Sequence, residues 1–405
     1  MSKQSPILIA GGGPVGVITA LALARQGLPV HVFEAGDRIN DMPRAATTHS
    51  ATLEMLAGLG IVDQVIERGY VEPLFRIWDR PTRTMVVEFD FGMLKDETPY
   101  PFCVQCEQHK IAGMAVERLK QFPHAKVEFS ARVAAHTQSA DGVEIDVETA
   151  AGTRKVSGSY LISAEGGRSA VRKALGIEFE GFTHPERFMI LTTTFDLGTM
   201  YPGCTRNYVS DPAAWFSVFK VSGDGQGPLW RVLSSTQADQ TDEELMNPEA
   251  TERRMQRFLP KDTPYDIVHR NLYNVHQRVA ASFRKGRVFL AGDAAHVNNP
   301  LGGLGLNFGI HDAIELSGLL GRVIRREAPE DILNEYDLHR RPLNIEFVQQ
   351  QTVANKKRME EKDPAARERD FDQLRRTAAD PAAHRAYVRK ASLVESVRKR
   401  AATAA

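Results

Sequence analysis

The chain has 405 residues, and its 51 Lys and Arg balance 51 Asp and Glu, so no bulk field favours nucleic acid or an acidic membrane surface. Hydrophobic residues make up 42% and charged residues 25%, as in an ordinary globular protein of roughly two to three domains, and no apolar run approaches the roughly 20 residues that span a bilayer. Three cysteines exclude a disulfide framework, and the lone Cys103/Cys106 pair lacks the further ligands of a zinc site.

The elements begin with Ile7–Ala10, a short apolar run read as a buried strand; no basic and apolar leader precedes it, so a cytoplasmic protein is expected. Residues 15–26 are rich in Ala and Leu and read as a helix closed by Gly27. Val30–Phe33 is the second strand and ends at Glu34. Gly11, Gly13 and Gly16 stand between first strand and helix in the spacing G-x-G-x-x-G. The first glycine permits a tight turn, the second lets a pyrophosphate approach the backbone, and the third lets helix and sheet pack closely. The free N–H groups of the first helical turn then face the phosphates. Glu34 stands where an acidic side chain accepts from a ribose 2′-OH and would repel a 2′-phosphate, so FAD or NAD is expected rather than NADP. Pro14, Val15 and Ala35 complete the expected lining of this dinucleotide site.

Helices are expected at 50–59, 61–68 and 111–121, and strands with turns across 73–101. Strands follow at 127–129, Val143–Thr149 and 155–163, with Asp141-Gly142 as a hairpin turn. A second sheet is expected from 188–196, 207–221 and 229–236, with 223–228 as a polar turn. A buried strand at 287–291 delivers Asp293 to a sheet edge where ribityl hydroxyls could be bound. Pro300, Gly303 and Gly305 follow, then Leu306 and Asn307 at the start of a helix running to about residue 325. The glycines keep side chains clear of a flat ring, and the helix N-terminus favours the negative charge of a reduced flavin. His296, within this loop, is read as a structural hydrogen-bonding residue. After Asn344 the composition turns charge-rich, and 359–376 and 382–400 read as solvated helices, with a dimer contact as the alternative.

A third strand-turn-helix runs from Tyr160 to Arg172 and contains Glu165-Gly166. Together the three motifs resemble the class A flavoprotein monooxygenases, the FAD-dependent aromatic hydroxylases, over roughly residues 5 to 345. The resemblance implies an α/β fold: a Rossmann-like FAD-binding domain, an inserted α+β substrate domain with a mostly antiparallel sheet, and a C-terminal helical segment. The expected division is 1–75, 100–183 and 270–345 for FAD, 76–99 and 184–269 for substrate, and 346–405 for charged C-terminal helices. The resemblance further places Arg44, Gln105, Glu165 and Gly166 at the cofactor. Two positions depart from the family pattern: Glu165 stands where Asp is usual, and Ala51 where Arg is usual.

The chain has no second dinucleotide fold, so NADPH or NADH is expected as a transient reductant. The reaction implied is hydroxylation of a small aromatic, phenolic substrate by O2 through a flavin C4a-hydroperoxide, in a monomer or homodimer with no nucleic-acid or membrane partner. Pro300 is expected to line the ring face. His49, Tyr208 and Arg231, with Trp215, are the candidates for substrate contact under the second sheet. The alternatives are a flavoprotein reductase or dehydrogenase without oxygenation, or a metabolite-binding flavoprotein with vestigial activity.

Overall fold

The structure is a computed structural model and describes residues 5–404 apart from Asp224 and Gln226, so those two positions of the expected 223–228 turn lie outside the described residues. The strand Ile7–Ala10 is the centre of a six-stranded sheet. It pairs in parallel with Val30–Phe33 on one side and Tyr160–Ser163 on the other. Val288–Leu290 and Ala125–Glu128 extend the sheet outward, and Arg284–Lys285 adds an antiparallel edge. Buried on both faces, these strands read as continuous apolar runs, as parallel strands under helices do. The helix Pro14–Ala24 packs against both Gln108–Leu119 and Gly305–Ile324.

Residues 155–163, expected as one strand, are two. Gly152–Gly158 closes a three-stranded antiparallel sheet, while Tyr160–Ser163 enters the parallel one. The break falls where the backbone presses on the first strand: a Cβ on Gly158 would lie 2.5 Å from Leu8 Cγ and 2.6 Å from the Pro6 oxygen. Residues 207–221 are likewise two strands, Arg206–Ser210 and Phe216–Val221. The turn between them holds Asp211, whose Oδ1 accepts from Ala213 N at 2.8 Å, followed by Pro212.

A second sheet has eight strands and is mostly antiparallel. Its long antiparallel pair, Phe179–Thr193 and Ile267–Ala280, rises out of the first body, and Leu229–Ser235, Phe216–Val221 and Arg206–Ser210 follow in order. Leu74–Asp79, parallel to Arg206–Ser210, and Thr84–Asp90 finish it.

The C-terminal segment corrects the expectation of solvated helices. Gln350–Glu360, Pro364–Ala379, Pro381–Ala391 and Val394–Ala404 are helical, but the first three lie on this sheet and the last packs on Pro381–Ala391 and Ser50–Gly58. Phe371, Leu374, Val388, Leu393 and Val394 join Phe75, Phe89 and Phe91 in one buried cluster. Ion pairs fix the contact at its edges: Arg367 Nε donates to Asp79 Oδ1 at 3.1 Å, and Glu97 takes Arg389 at 2.7 Å and Arg385 at 3.0 Å. The apolar positions are few and diluted by charge, and their aromatic partners lie far upstream in the chain, so no local period announces the buried face. Among the described residues, no helix is long and apolar enough to cross a membrane.

Candidate active site

The glycine loop forms as its spacing requires. Gly11 has φ +105°, and a side chain there would overlap the Ala164 carbonyl. A side chain at Gly16 would strike the Gly11 carbonyl, whereas nothing stands within 4 Å of the Cβ position of Gly13. Two glycines therefore serve close packing and the middle one opens onto free space. Pro14 starts the helix at its first turn, beside half-buried Val15, and no side chain caps that turn. Glu34 Oε2 accepts from Gly12 N at 2.6 Å and Oε1 from Gly36 N at 2.8 Å, which fixes the carboxylate at the end of the second strand, next to exposed Ala35.

Asp293 is exposed in the turn that follows the strand Val288–Leu290. The helix Gly305–Ile324 begins nearby, again with no side-chain cap. Asn307, expected at its start, is buried and ties the segment 47–49 to the loop before the helix: its Nδ2 donates to the Thr47 and Gly303 carbonyls at 2.8 and 2.6 Å, and its Oδ1 accepts from His49 N at 2.8 Å. Gln105 accepts from Thr47 Oγ1 at 3.0 Å through Oε1, yet its Nε2 is buried without a partner. An unmatched buried donor is costly, and a ligand acceptor would satisfy it. Two uncapped helix N-termini, an open glycine and this amide fit a long dinucleotide with phosphates at one end and a flat ring at the other. Arg44 is exposed beside the crevice, and Leu306 is buried at the helix start.

Glu165 turns inward. Its Oε2 accepts from Ser163 Oγ (2.9 Å), Ser169 Oγ (2.8 Å) and Val171 N (3.1 Å), so the longer side chain caps its own strand-turn-helix. Gly166 follows with φ +85° and open space at its Cβ position. Arg172, from the same motif, donates to the carbonyls of Ala294 (2.9 Å) and Gly167 (2.8 Å), linking the middle motif to the Asp293 loop.

His296 is structural, as expected. Its Nε2 meets Asp312 Oδ2 at 2.7 Å, the same oxygen accepts from Gly292 N at 3.0 Å, and Asp312 Oδ1 accepts from Arg340 Nε at 2.8 Å. Burial opposes ionisation of Asp312, but the charges and hydrogen bonds of His296 and Arg340 prevail and hold its carboxyl below the usual range. This core holds the ring-side loop from behind. The sequence showed no spacing that joins Asp312 to Arg340.

Between the eight-stranded sheet, the loop at 301–302 and the C-terminal helices lies a cavity of about 50 Å³. Phe75, Ile77, Arg206 and Tyr208 come from the sheet, Leu301 and Gly302 from the flavin-side loop, and Arg358, Met359 and Tyr387 from the C-terminal helices. Of the expected contacts only Tyr208 lies in this wall. Its partner Arg206 was missed, although the two share one strand face at period two. Arg206 is 5% exposed. It donates from Nη2 to Tyr208 Oη (2.9 Å) and the Gly302 carbonyl (3.1 Å), and from Nη1 to Cys103 Sγ (3.5 Å). No carboxylate of the described residues lies within ion-pair distance of it, so a buried cation rests on neutral acceptors.

The other candidates lie elsewhere. His49 is fully buried behind the loop, its Nε2 at 2.8 Å from the Gly302 carbonyl. Arg231 is buried near Glu107 (3.6 Å) and donates to the Arg44 carbonyl at 3.3 Å. Trp215 is buried and donates to Glu360 Oε1 at 2.7 Å, tying the sheet to the C-terminal helices. Pro300 is half-buried in the loop. Among the described residues no group of acidic, His and Cys side chains is arranged to hold a metal.

Burial lowers two histidines of this region to about 3: His49, also facing Arg206, and His311, facing Arg340 with Asp312 opposing. Both stay neutral in the fold while the unfolded chain protonates them near the ordinary value of 6.5. The unfolded state therefore binds more protons below that value, and the stability present above about pH 6.5 is lost as pH falls towards 3, by up to about 1.4 kcal/mol per histidine and pH unit. Thermal unfolding should show a clear drop in Tm between about pH 7 and about pH 5. An unchanged Tm would contradict the two buried neutral rings.

The profile of the family described as FAD binding domain matches residues 4–351. The para-nitrophenol 4-monooxygenase of Pseudomonas sp. (strain WBC-3) is 34% identical over 391 residues, 96% of this chain and 95% of that protein. The 6-hydroxy-3-succinoylpyridine 3-monooxygenase HspB of Pseudomonas putida is 33% identical, over 92% of this chain and 93% of that one. The crystal structure of p-nitrophenol 4-monooxygenase PnpA from Pseudomonas putida DLL-E4 superposes with a TM-score of 0.90 at 32% identity, covering 97% of this chain and 99% of that chain.

Proposed function

As the chain belongs to the FAD binding domain family and, within it, to the FAD-dependent aromatic monooxygenases, we propose that it hydroxylates a small phenol held as its phenolate in the cavity beside Gly302, drawing electrons from NADH or NADPH. The observation that carries this reading is the buried Arg206, which lines the cavity and donates to the carbonyl of the loop that faces the flavin. A buried guanidinium without a carboxylate favours the ionised substrate, and the phenolate is the better carbon nucleophile.

FAD, when bound, supplies the electron-carrying and oxygen-activating chemistry. The glycine loop with Pro14, Val15, Glu34 and Ala35 would hold its adenosine and pyrophosphate. Arg44, Gln105, Asp293, Pro300, Gly303, Gly305, Leu306 and Asn307 would hold its ribityl and ring portion. Gly166 would adjoin it through backbone, while the inward carboxylate of Glu165 acts on the turn. Tyr208 Oη accepts from Arg206 and so keeps its proton free to donate to the substrate oxygen. His49, neutral and bound to the Gly302 carbonyl, is a positioning residue for the loop. Phe75, Ile77, Leu301 and Met359 exclude water from the reacting ring. The division into an FAD-binding part, an inserted substrate part and a C-terminal segment follows the same reading.

The test is a screen of phenols and hydroxypyridines for stimulated NAD(P)H oxidation, with the product identified by mass. At least one should raise the rate and gain one oxygen. Stimulated oxidation that never yields a hydroxylated product would turn the reading to a reductase.

A further inference from the structure

We propose that Arg358 and Tyr387, both beyond the matched residues 4–351, form the specificity-determining pair of the cavity and take a planar two-oxygen acceptor on the substrate ring, a nitro or a carboxylate group. The proposal rests on the reading of the cavity as the phenol site.

Arg358 lies on Gln350–Glu360 and Tyr387 on Pro381–Ala391, and both side chains line the cavity. The cations around them that face protein are matched by acids: Lys356 meets Glu186 and Glu360, each at 2.6 Å, Arg367 meets Asp79, and Arg385 and Arg389 meet Glu97. Arg358 has no carboxylate of the described residues within ion-pair distance. The group it adjoins in the cavity wall is Tyr387, whose phenol is neutral. Besides the amides of Gln351 and Asn355 on the same helix as Arg358, the wall around this pair is apolar, from Phe75, Ile77, Leu301, Met359 and Ala391.

The pair is also held in place. Tyr387 stacks on Phe89 with centroids 4.1 Å apart and an interplanar angle of 12°. Asn355, one helical turn from Arg358, donates to the Leu301 carbonyl at 3.2 Å, locking its helix to the flavin-side loop. A guanidinium presents a rigid planar fork of donors, and the ligand geometry that matches it is a planar pair of oxygens. A half-buried cation over apolar walls rewards such a group and penalises a ring that leaves the donors unmatched. Arg206, on the sheet, serves the phenol oxygen, so the two cations address different groups of one small ring.

The experiment uses the FAD-loaded protein and three probes: 4-nitrophenol, 4-hydroxybenzoate and 4-methylphenol, which lacks the acceptor. Binding is read from the perturbation of the flavin absorbance, and turnover from the split between KM and kcat. The native protein should bind at least one acceptor-bearing probe more tightly than 4-methylphenol by about tenfold or more. A carboxylate preference would show recognition of charge, and a nitro preference recognition of shape; either supports the pair. In Arg358→Met the ratio between the acceptor-bearing probe and 4-methylphenol should collapse towards one, mostly in KM. Arg358→Lys should restore only part of it, and Tyr387→Phe should lower it less. Retained flavin absorbance and an unchanged unfolding temperature show that each variant folds. A ratio that survives Arg358→Met, or a native protein indifferent to the acceptor, overturns the proposal. If no phenol of any kind is hydroxylated, it is the function reading that fails.

Discussion

Replacing Arg206 with methionine leaves a folded, flavin-binding protein that has lost most of its turnover. The residue is 5% exposed, and its guanidinium touches one tyrosine oxygen, one backbone oxygen and a cysteine sulfur, with aromatic faces of Phe75 and Tyr208 at 5.3 and 5.5 Å. With no carboxylate to abandon, exchange for an apolar side chain of similar length removes a buried charge without creating an unpaired one, so stability should be neutral or higher. Catalysis should move the other way. Loss of one partner of a buried charge pair costs roughly 2–5 kcal/mol, or about 30- to 4,000-fold in kcat/KM for the phenolate substrate. The pH dependence of binding should also flatten, because the preference for the ionised phenol is lost. Parallel measurement of kcat/KM and of the denaturation midpoint checks both halves. A variant that unfolds while its residual folded fraction turns over normally would assign Arg206 to structure.

The second large effect concerns stability. Asp312→Ala should destabilise the fold by about 3 kcal/mol, because it takes the nearest carboxylate from Arg340, 3% exposed, leaving only Glu315 at 3.9 Å, and leaves His296 and Gly292 N without their acceptor. Arg340 also stacks over Phe308 at 3.8 Å and donates to its carbonyl at 3.1 Å, so the cation cannot swing out to solvent without breaking those contacts. The helix Gly305–Ile324 carries Asp312, and its first turn carries Leu306 and Asn307, which are proposed to hold the flavin ring. Flavin affinity should therefore fall with stability. Denaturant unfolding with and without added FAD measures both, and combining Asp312→Leu with Arg340→Met should recover part of the loss. A single variant as stable as the native chain would contradict the buried network.

What was legible in the sequence was what depends on local spacing. The glycines at 11, 13 and 16 mark a turn, and the structure shows tight packing at Gly11 and Gly16 and open space at the Cβ position of Gly13. The glycines around residue 303 and Asn307 likewise announce a loop entering a helix. The substrate cavity was not legible in that way. It is assembled from a strand near residue 75, one near 207, a loop at 301 and helices after 350, and no window of sequence contains two of these. Arg206 could have been found from Tyr208 by strand alternation, since the two are two residues apart on one face. The C-terminal helices misled because their surface is charged throughout. Their anchoring residues, Phe371, Leu374 and Val388, are isolated apolar positions that acquire meaning only against Phe75 and Phe89.

The most direct measurement is mass analysis of the product formed from a phenol, NAD(P)H and isotopically labelled O2 by the FAD-loaded protein. The account predicts one labelled oxygen atom on the ring, formed in step with reductant consumption, and little hydrogen peroxide. Reductant consumed wholly into peroxide, with an unlabelled and unchanged phenol, would contradict it.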